Sequence, residues 1–370
     1  MNDLGRLVRT VSRVARTRYP AFVFGLPLGR DEIPVFTYHD VTADELAQDL
    51  DFLYTNGYRT LSLEEYLRAR ERGKRPGRSV LLTFDDARKS FWNVALPLLE
   101  TFGARAVLFA PTYWMRESPR RPDDLFMSWE ELKACAASGH VDVQSHAHRH
   151  ALVAISPHLV EFASPDTLAR FDIYDWPMRS IDGRDELGRP ALGTPVYRAE
   201  PLLSAERRFL ECGDLTRECV AFVERCGGEE FFSRPGWQKH LREFHRLCSR
   251  GRTGSYMPAA QFRLLVASEF ELSRAEFRRH LGYQPHCIAY PWMLGSALSL
   301  ELARASGFRF AFGVALDYGA ERRRASLPIP VFARLNRDWL RCLPGQRRAG
   351  VLGMVGRKLF ALNKLHNLAH

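Results

Sequence analysis

The chain has 370 residues, of which 46% are hydrophobic and 26% charged, and its formal net charge is +10 at pH 7. This is an ordinary globular composition with enough apolar material for a large core, and no apolar run approaches the roughly 18–20 residues of a membrane span. The positive charge would suit nucleic acid, but there is no zinc-finger, RNP-like or helix-turn-helix signature, so we expect no nucleic-acid partner.

The chain begins with a basic leader, 1–31, and ends with a basic tail, 343–370. In both, apolar residues recur at helical spacing among arginines and lysines, which is typical of an amphipathic helix on an anionic membrane surface. Docking of these helices onto the protein's own core is the alternative. The apolar positions are Leu4, Leu7, Val8, Val11 and Val14 in the leader and Val351, Leu352, Val355, Leu359 and Leu362 in the tail.

Two apolar runs, Ser79–Phe84 and Val141–Ser145, are predicted to form buried parallel strands. The first ends in Asp85-Asp86, and His146 and His150 follow the second. We expect these histidines to lie on one face of a helical turn, where both can hold one ion. Active sites of parallel α/β folds collect at the carboxyl ends of strands, so the acids and imidazoles should meet. Two imidazoles and one carboxylate are the ligands of a hydrolytic zinc-type site, with the second carboxylate left to act as a base.

Three motifs, in this order, make the chain resemble the polysaccharide deacetylases related to the NodB chitooligosaccharide deacetylase (carbohydrate esterase family 4). Thr83–Ala87 resembles the family's TFDDG motif, His146–His150 its HSxxH motif, and Ala289–Trp292 its RxPY motif. The resemblance covers roughly 32–155 and 262–338. It implies a deformed (β/α)7 TIM-like barrel of the NodB type, with an insertion of about 100 residues between the second and third motifs.

The resemblance also implies the roles of the motif residues. Asp86, His146 and His150 would hold a divalent metal, most often Zn²⁺ in this family. Asp85 would be the general base toward the metal-bound water, which is the nucleophile, and the backbone N–H of Trp292 would stabilise the oxyanion. The implied reaction removes N-acetyl groups from an amino-sugar-containing glycan or a glycolipid precursor, so the expected partner is a glycan or a lipid-linked saccharide.

The chain departs from the family pattern at three places. Ala87 replaces the usual Gly, for which we expect a slightly different turn. Ala289 stands where many members have the Arg that orients the catalytic Asp; Arg334 is a candidate replacement, and a solvated surface position is its alternative. No late Leu-x-His motif supplies the family's general acid, since Leu365-His366 lies in the basic tail. The missing arginine and the missing acid favour an alternative, a catalytically silent saccharide-binding protein on the same barrel. The basic ends favour another, a deformylase or deacylase of a lipid-linked sugar, since such lipids lie at the membrane face.

Further residues are candidates for substrate contact, and core packing competes with this role for the aromatic ones. His148 is predicted to point away from the two ligand histidines. The substrate-contact candidates are His39, Asp40, Tyr290, Trp292 and Arg334.

The motif order divides the chain into five segments: a leader (1–31), a first barrel part (32–158), an insertion (159–258), a second barrel part (259–342) and a tail (343–370). The insertion follows a metal-ligand strand, so we expect it to be a lid or subsite that selects the substrate. Its candidate sugar contacts are Asp172, Tyr174, Asp175, Trp176 and Arg179, for which a hydrophobic plug is the alternative.

The seven cysteines are odd in number and scattered. Cys212, Cys219 and Cys226 recur every seven residues, a step of about 10.5 Å on a helix and too long for a disulfide, so they are predicted to lie on one helix face. Unpaired cysteines favour a reducing compartment. We therefore expect a cytoplasmic protein, peripheral at the inner face of the membrane if its basic ends bind there.

Overall fold

The structure, a computed structural model, describes residues 19–117, 125–181, 183–250, 252, 254–313 and 327–350. The amphipathic patterns predicted for 1–18 and 351–370 lie outside these residues. Two compact units divide the chain. The first unit comprises Met1–His148, Leu272–Met293 and Gly307–His370, and the second unit comprises Arg149–Glu271 and Leu294–Ser306.

The strands in chain order are β1 (Val35–Tyr38), β2 (Arg59–Thr60), β3 (Ser79–Phe84), β4 (Ala106–Ala110), β5 (Val141–Ser145), β6 (Leu152–Phe162), β7 (Arg179–Ile181), β8 (Arg184–Glu186), β9 (Pro195–Pro201), β10 (Phe209–Leu210), β11 (Ser255–Tyr256), β12 (Cys287–Ala289), β13 (Phe310–Gly313), β14 (Val331–Ala333) and β15 (Leu335–Asn336). The α-helices are α1 (Ala43–Thr55), α2 (Leu63–Arg72), α3 (Leu96–Thr101), α4 (Trp129–Ala137), α5 (Pro165–Arg170), α6 (Gly213–Arg225), α7 (Trp237–Cys248), α8 (Ala259–Leu281) and α9 (Ala297–Ala305). Short 3₁₀ or π turns cover Ala21–Phe24, Phe91–Ala95, Thr112–Trp114, Ile173–Asp175, Gly228–Ser233, Pro291–Met293 and Arg337–Cys342. None of the described helices is both long and apolar enough to cross a bilayer.

The first unit is built on a nine-stranded sheet with the order β14-β13-β12-β5-β4-β3-β1-β15, and β2 pairs with β3. Each pairing in it is parallel. Only Arg334 separates β14 from β15 in the chain, yet these strands stand at opposite ends of the order, so the sheet must curve until its ends meet. This confirms the predicted barrel-like α/β fold. The strands number nine rather than about seven because the two-residue β2 and β15 extend the sheet.

The neighbouring strands β3 and β4 are buried along their whole length, as the apolar run of β3 predicts. The core between sheet and helices includes Leu81, Val107 and Phe109 from the strands and Tyr66 from α2. Local signals fix the helix ends. Ser62 and Glu65 form a capping box at the start of α2, as Ser128 and Glu131 do at the start of α4.

The second unit contains the predicted insertion, 159–258, and its strands pair antiparallel. The long β6 pairs with β9 through two register shifts, β7 pairs with β8, and β10 pairs with β11. Its core includes Phe162 of β6, Cys219 and Val223 of α6, and Leu241 of α7. The helix predicted to carry the three regularly spaced cysteines is α6: Cys219 lies within it, and Cys212 and Cys226 are the residues that flank its two ends. All seven cysteines are free thiols.

Candidate active site

Polar residues follow five strands of the first unit at their carboxyl ends. His39 follows β1, Asp85 follows β3, His146 follows β5, Tyr290 follows β12 and Arg334 follows β14. All these strands are parallel within one sheet, so their carboxyl ends share one edge. The fold thus collects these five polar residues on one face of the barrel.

Asp85 and Arg334 form a buried, two-pronged ion pair. The Arg334 guanidinium donates to both carboxylate oxygens, Nη1 to Oδ1 at 2.6 Å and Nη2 to Oδ2 at 2.8 Å. Asp85 is 3% exposed and Arg334 is 0% exposed, so the surface alternative for Arg334 is wrong. Burial alone would raise the pKa of Asp85, but Arg334 and His146 outweigh it and hold that pKa below its usual value. Arg334, at the end of β14, therefore places a guanidinium directly on Asp85 although position 289 is an alanine.

Asp86, His146 and His150 come together as a candidate metal centre. One ligand atom from each lies within 4.8 Å of the others, and all three residues are buried. Within the described part of the chain, this is the one such group of three or more His, Cys, Asp or Glu residues.

The hydrogen bonding of His146 suits a cation at this centre. Its Nδ1 donates to the Ala289 carbonyl at 2.8 Å, which fixes the ring and leaves Nε2 as the acceptor nitrogen of the neutral imidazole. That Nε2 faces Asp86 Oδ1 at 3.5 Å, so two buried acceptors point toward each other. Such an arrangement needs positive charge between the atoms, either a proton or a metal ion, and the residues therefore fit a divalent cation.

The predicted helical turn between His146 and His150 is wrong: this segment is a loop. Ala147 and His150 have left-handed backbones, with φ of 64° and 50°. The carbonyls of Ala147 and His148, which would bond within a helix, instead accept from the amides of Thr112 and Tyr113 at 3.3 and 2.9 Å. The turn after β4 therefore competes with the helix for these carbonyls.

His148 is not one of the residues of the metal cluster, and its side chain contacts the turn after β4. Its Nδ1 lies 2.8 Å from the Thr112 hydroxyl, and its ring meets that of Tyr113 edge-on at 5.7 Å. His150 is supported on its other side by Tyr174, whose ring stacks on the imidazole at 3.9 Å.

Left-handed backbone recurs after the motif strands. Asp86 and Ala87 have φ of 72° and 46°, and Trp292 and Met293 have φ of 51° and 59°. Side chains other than Gly are strained in this region, and such strain concentrates at functional sites. Ala87 thus takes a conformation suited to the glycine it replaces. The glycine that the family usually has at position 87 was a sequence signal of this conformation, whereas nothing in the sequence indicated it for Asp86, Trp292 or Met293.

Of the remaining substrate-contact candidates, three are at least partly exposed and one is buried. His39 is half exposed, with Nε2 3.9 Å from Asp85 Oδ2, whereas the exposed Asp40 accepts a hydrogen bond from the Ser90 hydroxyl at 2.8 Å. Trp292 is half-buried. Tyr290, in contrast, is 2% exposed and packs in the interior, so its ring offers no open face to a sugar.

The aromatic residues of the predicted sugar cluster in the insertion are also buried. Tyr174 is 5% exposed and Trp176 is 2% exposed. Trp176 packs against Phe171 and Ala163, as expected for a hydrophobic plug. Sequence reasoning did not foresee that Tyr174 would support His150.

Comparison with known proteins adds independent observations. Residues 72–180 match the family model described as polysaccharide deacetylase. The poly-beta-1,6-N-acetyl-D-glucosamine N-deacetylase of Escherichia coli K12 is 30% identical over 127 residues, covering 31% of this chain and 19% of that protein. The enzyme of the same name from Staphylococcus epidermidis is 30% identical over 115 residues, covering 31% of this chain and 39% of that protein.

The fold has a counterpart among solved structures. The de-N-acetylase from Aggregatibacter actinomycetemcomitans matches with a TM-score of 0.50 at 16% sequence identity, covering 82% of this chain and 94% of that one. The chain spans less than half the length of the two curated relatives it matches. The family model, the motifs and these relatives agree in making this part of the chain similar to polysaccharide deacetylases.

Proposed function

We propose that this protein is a metal-dependent N-deacetylase that removes N-acetyl groups from an amino-sugar-containing glycan or glycolipid precursor. One observation carries the proposal: a carboxylate locked by a buried arginine stands beside a buried Asp-His-His cluster. A protein that only binds saccharide has no need of this pairing of a base with a ligand set.

Each site residue has a defined task. Asp86, His146 and His150 would hold the cation, most often zinc in the family, and the cation would supply Lewis acidity and a more acidic water. Asp85 takes the proton from the attacking water, since its ionised form dominates at neutral pH. Arg334 fixes the direction of both Asp85 oxygens, and the Trp292 amide donates to the developing oxyanion.

The substrate class is an N-acetylated amino sugar. Two relatives bear names that specify poly-beta-1,6-N-acetyl-D-glucosamine, so oligomers of this polymer are the first substrates to test. The silent saccharide-binding alternative was supported by the missing arginine and the missing general acid. Arg334 removes the first of these two arguments.

Metal content and acetate release test the proposal together. Purified wild-type protein should hold about one equivalent of zinc or another divalent metal, and His146→Ala should lose it. The wild type should release acetate from N-acetylglucosamine oligomers or cell-envelope extracts. A metal-free, inactive wild type would favour saccharide binding, and release of formate from a lipid-linked sugar would favour the deformylase alternative.

We also propose that the insertion, 159–258, takes part in substrate selection. Support comes from Tyr174, which belongs to the insertion and stacks on the ligand His150. Replacing Tyr174 with Leu should raise KM for oligomers several-fold and weaken metal binding. Unchanged KM and metal affinity would contradict this role.

We further propose that the protein is cytoplasmic and binds an anionic membrane surface through its basic ends. Arg348 donates to the carbonyls of Phe22, Gly25 and Leu26 at 2.7, 2.6 and 2.9 Å, so the residues next to both predicted amphipathic segments are tied together. Two weak membrane-binding segments that start from one place would reinforce each other.

Vesicle binding tests the membrane proposal. The wild type should sediment with vesicles containing phosphatidylglycerol but not with pure phosphatidylcholine vesicles. The triple variant Arg9→Glu, Arg13→Glu, Arg16→Glu should lose this binding, because each basic residue near an anionic surface contributes about 1 kcal/mol. Equal binding of wild type and variant would instead favour docking of the ends on the protein itself.

A further inference from the structure

The residue two positions after the metal-ligand candidate Asp86 is a buried arginine. Arg88 is 5% exposed, and its Nε lies 3.8 Å from Asp86 Oδ2. Its guanidinium lies over the Phe126 ring, 4.8 Å from the centroid. A buried cation requires compensation, which the Asp86 carboxylate and the aromatic face both provide.

The backbone around Arg88 is pinned on both sides. Arg88 forms an antiparallel bridge with Phe126. The Met127 amide donates to the Ala87 carbonyl at 3.0 Å, and the Lys89 amide donates to the Leu125 carbonyl at 3.0 Å. The guanidinium is therefore attached to a backbone held in register with the segment carrying Phe126, which limits how far it can move from Asp86.

The two oxygens of Asp86 face different groups. Oδ2 lies on the Arg88 side at 3.8 Å, and Oδ1 lies 3.5 Å from His146 Nε2. Ligand carboxylates are commonly oriented by partners outside the metal's own ligand set, and losing such a partner weakens metal binding. We propose that Arg88 is a positioning residue that holds Asp86 Oδ2 and so turns Oδ1 toward the cation bound with His146 and His150.

The contact between Arg88 and Asp86 means that each of the two adjacent acids has its own arginine partner. Asp85 has Arg334 as its guanidinium partner, and Asp86 has Arg88. Arg334 acts on the base and Arg88 on the metal ligand, so their loss should have different signatures. This inference rests on the proposed metal site but concerns a residue outside the three recognised motifs.

Zinc affinity measured by competition with a chromophoric chelator tests the role of Arg88. Arg88→Met keeps the side-chain length and removes the charge, and it should weaken zinc binding by about 10- to 100-fold. Arg88→Lys should recover part of this loss because it restores the charge without the planar fork. Arg68→Met is the matched control: Arg68 is an exposed arginine of α2 paired with Glu64, and its variant should bind zinc like the wild type.

Phe126→Leu provides a second route if Arg88→Met does not fold. It removes the ring beneath the guanidinium and leaves the charge, so zinc affinity should fall by a smaller factor than in Arg88→Met. Thermal melting of each apo variant separates misfolding from loss of affinity.

The outcomes distinguish this inference from the proposed function. Wild-type protein that binds no divalent metal would overturn both. If the wild type binds zinc and a folded Arg88→Met binds it equally well, or more tightly because a repelling cation is gone, only the positioning role is overturned. An Arg88→Lys variant no better than Arg88→Met would also contradict it, since charge at Oδ2 would then be irrelevant.

Discussion

The two units of the chain use different rules to place polar side chains. In the first unit, parallel strands deliver Asp85, His146 and Arg334 to one edge, so short motifs far apart in sequence converge. In the second unit, the strands pair antiparallel, β6 and β9 with two register shifts, and aromatic residues such as Phe171 and Trp176 are buried in a small core. The difference teaches that a parallel sheet makes a catalytic site recognisable from sequence, whereas an antiparallel insertion leaves no comparable signal.

The largest expected effect concerns Asp85, the proposed base in the first unit. Asp85→Asn should lower kcat for acetate release by about 10²- to 10⁴-fold, because an amide cannot accept the proton from water. Metal content should stay at the wild-type level, since Asp85 is not one of the three ligand candidates.

Asp44→Asn is the matched control for that substitution. Asp44 is an exposed carboxylate of α1 in the same unit and is not among the candidate site residues, so its variant should keep nearly full activity. If Asp85→Asn remained as active as Asp44→Asn, Asp85 would not be the base.

Arg334→Met tests whether the buried ion pair stabilises the barrel. It leaves Asp85 buried without its guanidinium, and breaking a buried pair in this way costs about 3–5 kcal/mol of unfolding free energy. Urea denaturation of the apo protein measures the loss. A double variant, Asp85→Asn with Arg334→Met, should be less destabilised than the sum of the single changes; strict additivity would show that the two groups do not interact.

Leu241→Ala tests the packing of the second unit. Leu241 of α7 is fully buried in the cluster that also contains Cys219 and Val223 of α6. Its truncation should lower the unfolding free energy by about 2–5 kcal/mol through lost burial and a cavity. Faster hydrogen exchange of the α6 and α7 amides would measure this loss of stability. Leu264→Ala, at a position 70% exposed in the same unit, should change stability by less than about 0.5 kcal/mol. Similar losses for both would mean that this core contributes little.

The smallest expected effect is pH-dependent and belongs to Glu211. Burial raises the pKa of this carboxyl, although the Ser180 amide donates to Oε1 at 3.0 Å. The folded state therefore holds the proton of Glu211 more tightly than the unfolded chain, in which the pKa of Glu is about 4.3. The free energy of unfolding consequently falls as the pH rises from this unfolded-state pKa to the raised pKa of the folded state. Glu211→Gln should raise Tm by about 2–4 °C at pH 8 and by nothing at pH 4. An equal gain at both pH values would contradict a titration effect.

Apolar strands and the motifs at their ends are local patterns, so the sequence allowed the buried parallel strands, the acidic pair and the two candidate ligand histidines to be predicted. The barrel was predicted through the resemblance to a known family. For Arg334, the sequence offered only a candidate role, as a replacement for the arginine missing at Ala289. Its partnership with Asp85 depends on curvature that brings β14 and β15 to the seam of the sheet, which is a property of the whole unit. The loop at His146–His150 was mistaken for a helix because its carbonyls bond to Thr112 and Tyr113, residues remote in sequence.

The burial of Tyr174 and Trp176 was equally beyond a local pattern. Aromatic and acidic residues in an insertion suit a sugar site and a packed plug alike, and only tertiary contacts decide between them. Arg88 was overlooked for a different reason. It stands one residue beyond the first motif, and its significance depends on Phe126 lying against it.

The left-handed backbone at Asp86, Ala87, Ala147 and Trp292 has a consequence for how this chain can change over evolutionary time. Each such residue lowers the stability of the fold by about 1–3 kcal/mol through backbone strain. Selection for catalysis can maintain this strain, whereas selection for folding alone would remove it. In a descendant protein that is no longer selected for catalysis, these positions should change to glycine or asparagine, or the loops should change in length. Their persistence in a lineage would thus record a history of working enzymes.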